Sequence, residues 1–274
     1  MNKLRLSTLV SAIAFAAVIL HAGSLRAQDQ ALTLTPAMRA QVLKLAQNNP
    51  AGLQALVASN PTLATAIAVF ATESAPNSAV AVAQAVSAGA PPALAAGIAA
   101  AVVLVSPTSA AAVAAAVAVA QPGQAAGIAA AVTQIAPTSA VQIATSVVTA
   151  VPGQTLQVAA AMAQVAPTQT LSIATAISQT ATGTGTSATA AQIGAAMTNT
   201  TLTGSAAAAN QTALANAVGV TQAAVNTASQ STAVANAQAA ATAQVQQAAP
   251  QVVVAQQVVA APPTRTATCT GSPC

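Results

Sequence analysis

A single histidine, His21, two carboxylates, Asp29 and Glu73, and no tryptophan or tyrosine leave this chain of 274 residues nearly without reactive groups. Nucleophilic catalysis needs a base beside the nucleophile. The one imidazole falls in a segment read below as a leader, so the many Ser and Thr hydroxyls have no activator. Paired-carboxylate chemistry needs two acids side by side; Asp29 and Glu73 are far apart in the chain. First-row metal sites need clustered His, Cys, Asp or Glu, and two cysteines cannot close a zinc site alone. Gly183-Thr184-Gly185 lacks the lysine and the strand–turn–helix setting of a phosphate loop and reads as a link. The expectation is a protein that is not an enzyme, with no cofactor, no metal and no small-molecule substrate.

Charge is equally scarce, at 3% of residues against roughly a quarter in an average globular domain. The formal net charge of +4 suggests an anionic partner until the cations are placed. Lys3, Arg5 and Arg26 lie in the first 27 residues, which leaves Arg39, Lys44 and Arg265 against Asp29 and Glu73. From Ser74 to Thr264 no residue carries a formal charge. With no basic patch and only Phe15 and Phe70 as aromatics, nothing grips phosphates or stacks on bases, and nucleic acid is excluded as a partner.

Residues 1–27 have the three parts of a secretory signal: Lys3 and Arg5, the apolar run LSTLVSAIAFAAVIL, then small residues before Ala27. The expected destination is therefore outside the cytoplasm, in the periplasm, at the cell surface or in the medium. No cysteine stands near the cut, so a lipid anchor is not indicated.

Residues 28–75 read as capping helices. Thr35 can cap a helix with Pro36 at its first position, and Met38, Val42 and Leu45 share a face. Arg39, Lys44 and Glu73 all fall here, where the end of a repeat stack must meet water.

Residues 76–181 are the array around which the chain is built. Pro92, Pro107, Pro122, Pro137, Pro152 and Pro167 stand 15 residues apart, and alternate units match better than adjacent ones. PALAAGIAAAVVLVS and PGQAAGIAAAVTQIA form one class, and the units opening PTS or PTQ form the other. With proline as position 1, position 7 is Ile98, Val113, Ile128, Ile143, Val158 and Ile173, and position 11 is Val102, Val117, Val132, Val147, Met162 and Ile177. Positions 7, 11 and 14 make one helical stripe. The fold class expected is all-α, an Ala-rich α-solenoid of short antiparallel helix pairs, 15 residues per helix and turn and 30 per pair. The prolines mark helix starts. A β-solenoid with a 15-residue coil is the minor alternative, since Leu156-Val158 and Leu171-Ile173 also alternate; it lacks the extra corner residues such a coil needs.

Residues 182–249 are low in complexity, rich in Ala, Thr, Asn and Gln, and read as looser helices or in part disordered. Residues 250–274 read as an extended tail ending in Cys269 and Cys274, a candidate disulfide in an exported chain.

Three functional readings follow from an uncharged repetitive surface. The favoured one is a non-catalytic scaffold of the cell envelope, whose partner is a copy of itself or an envelope protein. The second is membrane association through re-entrant Ala-rich hairpins, since helices of this length are too short to span. The third is binding to an ordered interface such as ice or mineral, which the irregular spacing of Thr along the stripe weakens.

Overall fold

The computed structural model describes residues 34–185, 188–198 and 205–260, with the backbone alone at 205–207. The expected leader at 1–27 and the Cys269 and Cys274 pair lie outside the described residues. All regular structure among the described residues is helical, with no strand, and the β-solenoid alternative is not supported.

The chain opens with α1 (Pro36–Asn48) and α2 (Pro50–Ser59). Thr35 Oγ1 accepts from the Met38 N–H at 3.3 Å, with Pro36 behind it at the first helical position. Then comes a run of near-identical units: α3 (Ala64–Ser74), α4 (Ala79–Gly89), α5 (Ala95–Val105), α6 (Ala110–Ala120), α7 (Ala125–Ile135), α8 (Ala140–Ala150), α9 (Thr155–Val165) and α10 (Thr170–Thr184). This series of repeated short helices is consistent with an all-α solenoid.

Each unit starts on a proline, but the proline opens a 3-10 turn, Pro107–Ser109 for example, and the α-helix begins three residues later. The residue before the proline explains the break. Proline crowds its predecessor out of the α region, and Ser106, Gln121, Ala136, Val151 and Ala166 all sit near φ −130°, ψ +65°. The N–H of that residue still closes the old helix, as Ser106 does on the Val102 carbonyl at 2.8 Å. One residue in this non-helical conformation thus separates each helix from the 3-10 turn that opens the next unit. Pro91, the residue added to the 15-residue metre, is taken up by an extended Ala90-Pro91 step.

Alternate helices pack side by side, so the stack has two layers. Helices α1, α3, α5, α7 and α9 form one, and α2, α4, α6, α8 and α10 the other. Gln121, at the end of α6, donates to the Ser87 and Ala90 carbonyls at the end of α4, so helices two apart run the same way. Gly89 lies where α4 meets α2, and a Cβ there would overlap the Gln54 carbonyl oxygen. We expect Gly89→Ala to cost roughly 1–3 kcal/mol through overpacking. A thermal midpoint equal to that of the parent protein would show instead that the two helices have room to part.

Beyond Thr184 the chain ends its helix on Gly185 at φ +64°, a left-handed cap that glycine adopts without strain. The Gly183-Thr184-Gly185 segment read as a link is therefore the last turn and cap of α10. Helix α11 (Ala190–Ala196) extends the α9 side, α12 (Ser205–Ala217) packs on α10, and α13 (Gln222–Ser229) packs on both α11 and α12.

The chief departure from expectation is α14 (Thr232–Ala260). It runs through the 249/250 boundary, with Pro250 inside it, and turns back along the stack over α11, α9, α7, α5 and α3. Residues 250–260 are helix rather than the start of an extended tail. A proline in a helix interior costs about 3 kcal/mol or more. Packing against the array offsets that cost: Ala248, Val252 and Ala255 are buried with Val69, Ala96, Ala100, Ala101 and Ala131.

The structure therefore has three layers: an outer one, a middle one and the returning strap. The two sequence classes are the first two of these. In α5 and α7 every residue from Ala95 to Val103 and from Ala125 to Thr133 is buried, because both faces are covered. In α6 and α8 only one face is buried, along Ala110, Val113, Ala114, Val117 and Ala118, and along Ala140, Ile143, Ala144, Val147 and Val148.

Candidate functional site

Among the described residues the only formal charges are Arg39, Lys44 and Glu73, all at the first end of the stack. The Arg39 guanidinium stands 5.9 Å from the Phe70 ring centroid, a cation–π contact joining α1 to α3. No group of three metal-ligating side chains occurs among the described residues, and no helix there is long and apolar enough to cross a membrane.

The twelve repeat-core positions, Ile98, Val102, Val113, Val117, Ile128, Val132, Ile143, Val147, Val158, Met162, Ile173 and Ile177, are all fully buried. They form one continuous core with the first-end residues Val42, Leu53, Val57 and Ile67. Pro92, Pro107, Pro122, Pro137 and Pro167 are exposed and Pro152 is half-buried, each heading its turn at the edge of the stack.

Two surfaces remain. The first is the joint between the strap and the middle layer. An α-helix beginning at position 4 takes its first i→i+4 bond from the position-3 carbonyl. The position-2 carbonyl and the position-6 N–H are thus left unjoined where the 3-10 turn meets the helix. On α5 and α7 a glutamine of the strap fills that gap. Gln251 Oε1 accepts from the Gly97 N–H at 2.8 Å, while its Nε2 donates to the Ala93 carbonyl. Gln244 repeats the arrangement on the next unit, accepting from the Gly127 N–H at 2.9 Å and donating to the Gly123 carbonyl at 2.8 Å. Each side-chain amide stands in for the missing peptide partner.

The spacing is what lets two clamps work at once. Gln244 and Gln251 are seven residues apart, two turns or roughly 10.5 Å of helix, and neighbouring helices in a layer are about 8–10 Å apart. Glycine at position 6 leaves room for the close approach. A Cβ on Gly97 would stand 3.0 Å from the Gln251 Cβ, and one on Gly127 would stand 3.1 Å from the Gln244 carbonyl oxygen. One more seven-residue step along the strap falls on Ala237, which is buried, and position 6 of the next middle-layer unit is Gln157 rather than glycine. Gln238 then reaches the Ala195 and Ala196 carbonyls at the end of α11, and Gln164 donates to Thr242 Oγ1 at 3.0 Å. Beside the first clamp lies a half-open cleft of about 150 Å³ lined by Thr65, Leu94, Gly97, Pro250, Gln251 and Val254.

The second surface is the outer face of the outer layer. Ala81, Gln84 and Ala88 of α4, Ala112 and Val119 of α6, Gln142 and Thr149 of α8, and Leu171 of α10 are exposed along it. Val119 and Leu171 are about half accessible, at 51% and 45%. Thr145 and Thr149 donate to carbonyls of their own helix at 2.8–3.1 Å, and the Thr175 hydroxyl lies between the Leu171 carbonyl of its own helix and the Ala217 carbonyl of α12 at 3.0–3.1 Å, so these hydroxyls are turned to backbone.

The sequence pointed to the core and the prolines but not to the strap. One signal was present: glycine at position 6 in only one class of unit, Gly97 and Gly127, with glutamines seven apart near the end of the chain. Comparison with protein-family models, curated proteins and solved structures finds no significant match to this chain.

Proposed function

We propose that this protein is a non-catalytic, exported scaffold built on 30-residue helix pairs, which associates with copies of itself or with an envelope protein through its outer face. The observation that supports this most is the absence of any formal charge from Ser74 to Thr264 on a layered helical stack. A soluble domain ordinarily keeps roughly 25–35% of its surface charged. The face across α4, α6, α8 and α10 has no charge of either sign and so no electrostatic barrier to approach. The apolar start of the chain supports export, and the lack of acid–base and metal-binding groups supports a non-catalytic role. The Thr hydroxyls turned to backbone favour protein contact over an ordered ice or mineral lattice.

Sedimentation of the leader-free chain at several concentrations tests the reading. We expect association that grows with concentration and is weakened when Val119→Glu places a carboxylate on the outer face without touching the core. A strict monomer at every concentration, with no envelope protein retained by the immobilised chain, would overturn it.

A further inference from the structure

The joint between strap and array is complete in itself. Gln244 and Gln251 supply the amides, α5 and α7 supply the open backbone pairs, and the segment connecting strap to stack contributes nothing to either clamp. The same contacts form whether strap and array belong to one chain or two, which is the condition for exchange of an element between identical protomers.

We propose that α14 also docks in trans, onto the middle layer of a second copy, and that this exchange is a joint by which copies are linked. It deepens the self-association reading and rests on it, while using a different surface. Three features of the strap support it. Its buried contacts are mostly alanine, with Val234 and Val252 the only larger fully seated side chains, so little apolar area holds it down. Pro250 interrupts its hydrogen bonding, and a cleft lies open beside Gln251. These are the marks of an element drawn from the low-stability end of a structure.

Opening the strap uncovers an apolar strip along Ala96, Ala100, Ala101 and Ala131, together with the unjoined pairs at Ala93/Gly97 and Gly123/Gly127. Such a site draws in a replacement of the same chemistry: an uncharged Ala- and Val-rich helix with glutamines seven residues apart. The strap of a neighbouring copy is that helix, and nothing in its charge opposes the encounter.

The test uses Gln164 and Thr242, which are exposed and in contact across the joint. One differently tagged chain carries Gln164→Cys and another Thr242→Cys, both with Cys269→Ser and Cys274→Ser, and the two are co-expressed. A short bis-maleimide is then added. Trans docking gives a covalent heterodimer of the two tags, and adding Gln244→Ala and Gln251→Ala to the strap donor reduces its yield at least several-fold. A chain carrying both Gln164→Cys and Thr242→Cys controls for folding and closure within one chain. If that chain cross-links internally while the mixed pair gives no heterodimer, the strap stays on its own array and the proposal fails. The self-association reading is judged separately, by sedimentation of the unsubstituted protein, so either can fall alone.

Discussion

Ile143→Asp is expected to abolish the cooperative fold of the array. Ile143 is fully buried in α8, at the stripe position that faces the middle layer between α6 and α10. Removing its side chain forfeits about 2–5 kcal/mol from lost burial and the cavity left behind. The carboxylate adds a desolvation penalty of several kcal/mol, because no cation lies between Ser74 and Thr264 to pair with it. Together these approach the whole stability of an ordinary domain, about 5–15 kcal/mol. In a stack each unit is held by its neighbours, so the loss spreads to α6 and α10. The helical circular dichroism at 222 nm should fall sharply and the melting transition should broaden or vanish. Two companions separate the causes. Ile143→Ala should remain folded with a lower midpoint, and Thr149→Asp, on the exposed side of the same helix, should melt within about 0.5 kcal/mol of the parent. Parent-like helicity in Ile143→Asp would mean that position 7 is not core.

The all-helical fold was legible because its two signals are local. Proline acts on the residue before it and on its own φ, so a proline every 15 residues fixes where helices can end and begin. The stripe at positions 7 and 11 marks one buried face, and every one of its twelve residues is fully buried. Fine geometry was less visible. The prolines were read as helix starts, and the sequence did not show that each opens a 3-10 turn with the α-helix three residues behind it. That difference lies in the hydrogen-bond pattern, to which composition is blind.

The strap was illegible for a physical reason rather than for want of residues. Pro250 reads as a stop when the chain is taken alone, because an isolated helix cannot absorb the lost bond and the steric clash. Tertiary burial supplies what local propensity lacks, through Ala248, Val252 and Ala255 against the middle layer. The partners of Gln244 and Gln251 are also more than a hundred residues away in the chain. Yet the consequence was written in the array. The AAGIAAAV class has no polar face from Ala95 to Val103, and a helix apolar all round has to be covered on both sides. A third layer follows from that requirement.

The glycines of that class give the second large effect: Gly97→Val combined with Gly127→Val should release the strap. Intrinsic propensity argues the other way, since valine is a better helix former than glycine by a few tenths of a kcal/mol per residue. The approach of the strap decides the sign. At both positions even a bare Cβ would stand 3.0–3.1 Å from strap atoms, and at Gly127 the nearest is the backbone oxygen of Gln244, which no rotamer change can move. Valine adds two methyl groups to that crowding, at about 1–3 kcal/mol per site. Displacing the strap also forfeits four side-chain to backbone hydrogen bonds, each worth about 1 kcal/mol net. The losses exceed the propensity gain several-fold. Amide hydrogen exchange read by mass spectrometry should show residues 232–260 losing protection first, while Val113, Ile143 and their helices in the outer layer stay protected. Gln244→Ala with Gln251→Ala removes the amides without the crowding and should loosen the strap less. If the double valine variant instead melts higher than the parent with its strap still protected, the glycines serve no docking role and the fit between Gly97, Gly127 and the two glutamines is incidental.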